Sequence, residues 1–180
     1  MSPPTDLYTL PHKALRDAVG CAGTLLAAAE PATAAATLAV VGGVLDELDA
    51  HAAHEDELIQ PALATYLPDI EVDIAGQHRS LAATIGGVRR RLDRLAATAE
   101  APPGELLSLY RSFQRLAAAN LLHLDDEETR AMPALWVAAP PEALSDILDR
   151  FRAAHPDAAD LYRRWPDALT LQERQLVDMF

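Results

Sequence analysis

One pattern occurs twice in this chain, and it limits the possible folds more than any other feature. Residues 51–63 read HAAHEDELIQPAL and residues 123–135 read HLDDEETRAMPAL. Aligned on their shared Pro-Ala-Leu, both place a His ten residues before the proline and a Glu six before it, which gives the pairs His51/Glu55 and His123/Glu127. A shorter motif repeats upstream of each. His12-Lys-Ala-Leu15 precedes the first copy by 39 residues, and His78-Arg-Ser-Leu81 precedes the second by 45. The loop around 101–104, Ala-Pro-Pro-Gly, can absorb the difference. The sequence therefore describes two helix hairpins, each with one His on its first helix and a His/Glu pair on its second.

Prolines and glycines separate long helical patterns. The first runs over about 9–29, with Pro11 suited to a first turn and an apolar stripe of Leu15, Val19, Ala22 and Leu26. The second runs over about 33–66 with Leu38, Val41, Leu45, Leu48 and Leu58 at helical spacing, and Pro61 is expected to end or kink it. The third follows Pro68-Asp69 to about Thr98, and the fourth runs from the 101–104 loop to about Val137. After Pro140-Pro141 come three shorter pieces, near 142–154, 157–164 and 170–178. Thr170-Leu-Gln-Glu173 has the form of a capping box for the last of them.

No stretch shows sustained period-two alternation. Half of the residues are hydrophobic but only 5% are aromatic, so Ala and Leu dominate, which favours helices. Short connections imply antiparallel neighbours. The expected fold is all-α: an antiparallel up-down four-helix bundle over residues 1–139, with a helical C-terminal extension over 140–180 packed on it.

Bulk properties exclude several partners. A net charge of −12 argues against nucleic acid and anionic membranes. A single cysteine excludes a disulfide framework and a Cys-based zinc site. The N-terminal residues show no basic segment followed by an apolar run, and no apolar stretch reaches the length of a membrane span. A cytoplasmic location is the expectation.

Residues i and i+4 lie about 40° apart around a helix, so His51 and Glu55 share a face, as do His123 and Glu127. Counting from the connecting turns at about 1.5 Å per residue puts His12 level with His51, and His78 within about one turn of His123. Four imidazoles and two carboxylates thus meet in one layer of the bundle interior. Unpaired carboxylates there cost several kcal/mol or become protonated. Neutral imidazole with carboxylate is, by contrast, what first-row metals prefer. Four His with two bridging Glu offer each of two metals two nitrogens and two oxygens and leave open positions.

With these residues in place, the chain resembles the hemerythrin-like (HHE cation-binding) family over about residues 8–138. The motifs that carry the resemblance are His12, His51-x-x-x-Glu55, His78 and His123-x-x-x-Glu127 with their Pro-Ala-Leu endings. It implies a four-helix bundle around a non-haem di-iron centre. His12, His51, His78 and His123 would be terminal ligands, and Glu55 and Glu127 would be bridges. Two ferrous ions outweigh two carboxylates in charge, which favours an oxo or hydroxo group as a further bridge. Residues 165–180 resemble the C-terminal extension of some members. The oxygen-carrying hemerythrins have an extra His one turn from the third-helix ligand. Here Ile74 and Ala82 flank His78, so one iron should have fewer protein ligands, and redox chemistry becomes more plausible than simple oxygen carriage.

Other motifs fail. A zinc protease needs His-Glu-x-x-His, but His54-Glu55 leads to Leu58. The ferritin-like class needs Glu-x-x-His, and Thr9, Leu48, Ala75 and Asn120 stand three residues before the four histidines. His54 sits at the edge of the metal face and reads as a surface or gate residue. Asp56, Glu57, Asp125, Asp126 and Glu128 read as a solvated face, of which one could orient an imidazole. Cys21 reads as a small packed residue, Trp136 and Trp165 as packing residues, His155 as a loop residue and Arg89-Arg90-Arg91 as a solvated face. The leading functional expectation is a di-iron protein that binds or reacts with O2, peroxide or NO, with catalase or peroxidase turnover if it is an enzyme. A metal or redox sensor without turnover is the alternative, and a metal-free structural bundle is the third reading.

Overall fold

The computed structural model describes residues 5–98, 101–154, 164–165 and 168–177. The elements in order are α1 (Thr9–Ala27), α2 (Ala34–Leu58), α3 (Gln60–Tyr66), α4 (Pro68–Ala96), α5 (Pro103–Asp126), a π-helical turn (Glu127–Ala131), α6 (Met132–Ala138), α7 (Pro141–Ala154) and α8 (Leu171–Val177). Among the described residues the fold is all-helical, with no strand. None of these helices is long and apolar enough to cross a membrane.

The apolar stripes explain the packing. Leu15, Val19, Ala22 and Leu26 of α1 are buried, as are Leu38, Val41, Leu45 and Leu48 of α2. So are Leu81, Ile85, Val88 and Leu92 of α4, and Leu106, Leu109, Phe113 and Leu116 of α5. Each of these long helices packs against two others: α1 on α2 and α5, and α4 on the same two. Their side chains form one core cluster. A second cluster joins Tyr8, Leu58, Leu63, Ile74, Met132 and Leu135 to Leu144 and Ile147 of α7. The two clusters lie on opposite sides of a polar layer. Along α1 the order is Tyr8, His12, Leu15, and along α4 it is Ile74, His78, Leu81.

The two prolines of the repeat act differently. Proline lacks an N–H and crowds the carbonyl four residues back. Before Pro61 the helix breaks at Ile59, whose carbonyl then accepts from Ala62 N–H at 2.9 Å and from Leu63 N–H at 3.1 Å. Pro61 sits in the first turn of α3, so the second segment ends and restarts as expected. Before Pro133 the chain instead widens into the π turn, where Met132 N–H donates to the carbonyl of Glu127, five residues back. The continuous fourth helix expected from the sequence is therefore interrupted from Glu127, the last residue of the His123/Glu127 motif, onward.

In the tail, α7 matches the expected piece at 142–154, and residues 157–163 lie outside the described residues. The capping box before α8 is formed. Thr170 N–H donates to Glu173 Oε2 at 2.8 Å, and Glu173 N–H donates to Thr170 Oγ1 at 3.3 Å. Trp165 packs on the first core cluster and donates from Nε1 to Glu47 Oε2 at 3.1 Å.

Candidate metal centre

The periodicity that buries the leucines also buries the polar layer, because His12, His78 and His123 stand on the same stripes. His12, Glu55, His78, His123 and Glu127 are each no more than 5% exposed. The His51 side chain is 11% exposed. Glu55 Oε1 lies 3.1 Å from His51 Nε2 and 3.4 Å from His12 Nε2, while its Oε2 lies 3.4 Å from His78 Nε2. Glu127 Oε2 lies 3.3 Å from His123 Nε2 and 3.5 Å from His12 Nε2, and its Oε1 is 3.6 Å from His78 Nε2. All six residues singled out in the sequence are thus brought together. Their donor atoms form two overlapping sets, His12/His51/Glu55/Glu127 and Glu55/His78/His123/Glu127. Within each set the atoms lie within 4.8 Å of one another, and both carboxylates belong to both sets.

Three imidazoles are held from behind. His12 Nδ1 lies 2.9 Å from Glu128 Oε1, and Arg16 holds Glu128 through two bonds of 2.6 and 3.0 Å. His78 Nδ1 lies 2.7 Å from Asp56 Oδ1. His123 Nδ1 lies 2.9 Å from Gln77 Oε1, and Gln77 donates in turn to Asp126 at 2.8 Å. A proton on each Nδ1 satisfies these acceptors and leaves the Nε2 lone pair pointing into the cluster.

A family model for the hemerythrin HHE cation-binding domain matches residues 4–135. This chain belongs to the hemerythrin HHE cation-binding family. No curated protein and no solved structure matches it.

The donors of this hemerythrin domain fit a cation. His51 Nε2, Glu55 Oε2 and both oxygens of Glu127 are buried without a hydrogen-bond partner. His51 Nε2 is close to Glu55, yet the pair is not aligned as a hydrogen bond, so proximity does not satisfy it. His78 Nε2 and His123 Nε2 approach to 3.1 Å. Burying a leucine side chain gains about 1.5–3 kcal/mol, whereas each buried polar atom left without a partner costs about 1–3 kcal/mol. The layer therefore weakens a bare bundle, and a cation among the donors removes the penalty.

Without a metal, protons must balance the charge. Burial and the neighbouring Glu55 push the Glu127 carboxyl up to about 8. Burial would raise Glu55 too, but His51, His12 and His78 hold it well below the usual carboxylate range. Burial lowers the basicity of His12 and His78, yet their carboxylate partners outweigh it and raise them to about 9 and about 11. Burial, opposed by Glu55 and aided by the other imidazoles, pushes His123 down to about 4. Positive charge gathers on imidazoles where the donor set would otherwise hold a metal.

The remaining sequence expectations divide. His54 belongs to neither donor set, and its ring meets Phe151 of α7 edge-on at 5.6 Å. Cys21 is exposed, not packed; it lies half a turn around α1 from the buried His12. Trp136 is 40% exposed and donates to the Thr5 carbonyl at 2.7 Å, so it covers the surface more than it fills a core. Asp56, Glu128 and Asp126 all serve the imidazoles, directly or through Gln77, where only one such acid was expected. His155 lies outside the described residues. Two further residues stand near the centre with no role expected from the sequence. Tyr8 is buried four residues before His12, with the ring centroids 5.4 Å apart. Burial and the charges of Glu127 and Glu55 raise its phenol well above the ordinary value, so it stays neutral. Asn120, three residues before His123, is also buried. Both stand at helical spacing from a ligand candidate, which is the signal that could have found them.

Proposed function

We propose that this chain is a non-haem di-iron protein that binds and reacts with a small oxygen species, O2, peroxide or NO. The scaffold is read as an up-down four-helix bundle over 1–139, with 140–180 as an extension packed on it. The observation that carries the reading is the sharing of both carboxylates by two otherwise separate imidazole pairs. His12, His51, His78 and His123 serve as terminal ligands through Nε2, and Glu55 and Glu127 as bridges. Bound iron would supply reversible electron exchange and an open coordination position. The chain's own part is to fix the imidazoles through Glu128, Asp56 and Gln77 and to exclude bulk water and bulky substrates with Leu and Ile walls. Any turnover is then of catalase or peroxidase type, and the reaction takes place in the cytoplasm.

Anaerobic ferrous reconstitution tests the assignment. Two irons per chain and spectral changes with peroxide, oxygen or NO are expected. Failure to retain iron, or retention of one ion only, overturns it. A sensing role is favoured by a specific contact: the tail reaches the centre's own helices. Lys13, next to His12, is bridged to Glu173 of α8 at 2.8 Å, and His54, next to Glu55, meets Phe151. Oxygen evolution from added peroxide supports the enzyme. Release of the tail on iron oxidation, without turnover, supports the sensor.

A further inference from the structure

A small cavity opens beside the cluster between α2, α4 and α5. Its volume is about 20 Å³, above the roughly 10–15 Å³ that one water requires. Asp49 and Ala82, both exposed, stand at its solvent side, while His51, His78, His123 and Asn120 line its inner part. Ala82 is the residue one helical turn after His78, and its single methyl leaves the space unfilled. Leu48, Leu81 and Ile85 form apolar walls.

Asn120 is the unexplained residue in this wall. It is 4% exposed, and its Nδ2 is buried with no hydrogen-bond partner. Leaving a buried amide donor unsatisfied costs about 1–3 kcal/mol, which a leucine at this core position would avoid. No imidazole takes its proton: His123 Nδ1 is held by Gln77, and His78 Nδ1 by Asp56. The donor and the inward faces of three imidazoles share one small space that is open to solvent on the far side.

We propose that Asn120 Nδ2–H donates to the exogenous ligand held in this cavity, a small anion of the size and hydrogen-bonding character of hydroperoxide. Asn120 is thus a ligand-binding residue rather than a packing residue, and the path between α2 and α4 past Ala82 is the way in. The apolar walls and small volume exclude an organic hydroperoxide. The inference rests on the di-iron reading, which supplies the positive charge that draws an anion inward.

Azide is the probe. In iron-loaded, oxidised protein its affinity is read from azide-dependent absorption and its hydrogen bonding from the infrared antisymmetric stretch in H2O and D2O. Asn120→Leu is expected to weaken azide binding about tenfold or more, the scale of one hydrogen bond to a charged group. The D2O sensitivity of the stretch should be lost while the iron content stays at two. Asn120→Asp keeps the volume, replaces the donor with an acceptor, and should weaken azide at least as much. Ala82→Leu should slow azide entry. Unchanged affinity and an unchanged infrared band in either Asn120 variant overturn the subsite and leave the metal reading intact. Iron-loaded wild type that gives no azide signal also overturns it. Wild type that takes up no iron overturns the di-iron reading itself.

Discussion

At the scale of single residues, the centre depends on side chains that never touch its middle. His123 contributes to one donor set, and its Nδ1 is held by Gln77. His123→Ala should remove most of the bound iron, checked by metal analysis against wild type. Glu128 offers a subtler test, because it connects His12 to Arg16 and its side chain is 22% exposed. Glu128→Gln should keep the fold by circular dichroism and lower iron affinity by about 10–100-fold, as losses behind a ligand imidazole do. His51/Glu55 and His123/Glu127 were legible because a spacing of four fixes a shared helix face whatever the rest of the chain does, and His12 and His78 because a short His-x-x-Leu motif repeats upstream of each pair. Their supports were not. Asp56, Glu57, Asp125, Asp126 and Glu128 look alike as letters, and the partner of Asp56 is on a different helix, so only assembly selects it. Cys21 shows the opposite case: its residue type suggests packing, but its wheel position opposite His12 points outward, and the position decides.

At the scale of elements, the recurrence of Pro-Ala-Leu has a packing reason. Leu63 of α3 and Leu135 of α6 are both 0% exposed and fill the same cluster below the polar layer. The proline redirects the chain, and the leucine two residues later anchors it. Leu135→Ala should destabilise the protein by about 2–5 kcal/mol in urea unfolding. A value below about 1 kcal/mol would show that α6 is not an anchor. Long segments with clear apolar stripes could be read to within a few residues of their ends, as Thr9–Ala27 and Pro68–Ala96 show. The π turn could not, since one proline offset gave a break in one repeat and a widened turn in the other. Which of them forms depends on how the following helix docks, and that information lies outside the local sequence.

For the whole molecule, two apolar clusters separated by a charged layer make stability uneven. Removing the metal should leave the larger cluster of Leu45, Leu109 and Phe113 protected. The destabilised part is the layer, together with the smaller cluster of Tyr8, Leu63 and Leu135. Hydrogen exchange after chelation is therefore expected to speed up first in α3, α6 and the π turn. A uniform increase across all helices would contradict this. The all-helical architecture was legible from punctuation and composition, whereas the contacts between the tail and the centre were not, because no periodic signal marks which surface a short helix will find.

Each donor set takes three members from one hairpin and a single carboxylate from the other. A hairpin on its own is always one ligand short, and so is its twin. The two halves of the chain are thus mutually dependent in the way of a self-paired dimer whose copies have been joined and allowed to diverge. Any slippage between them would break both donor sets together.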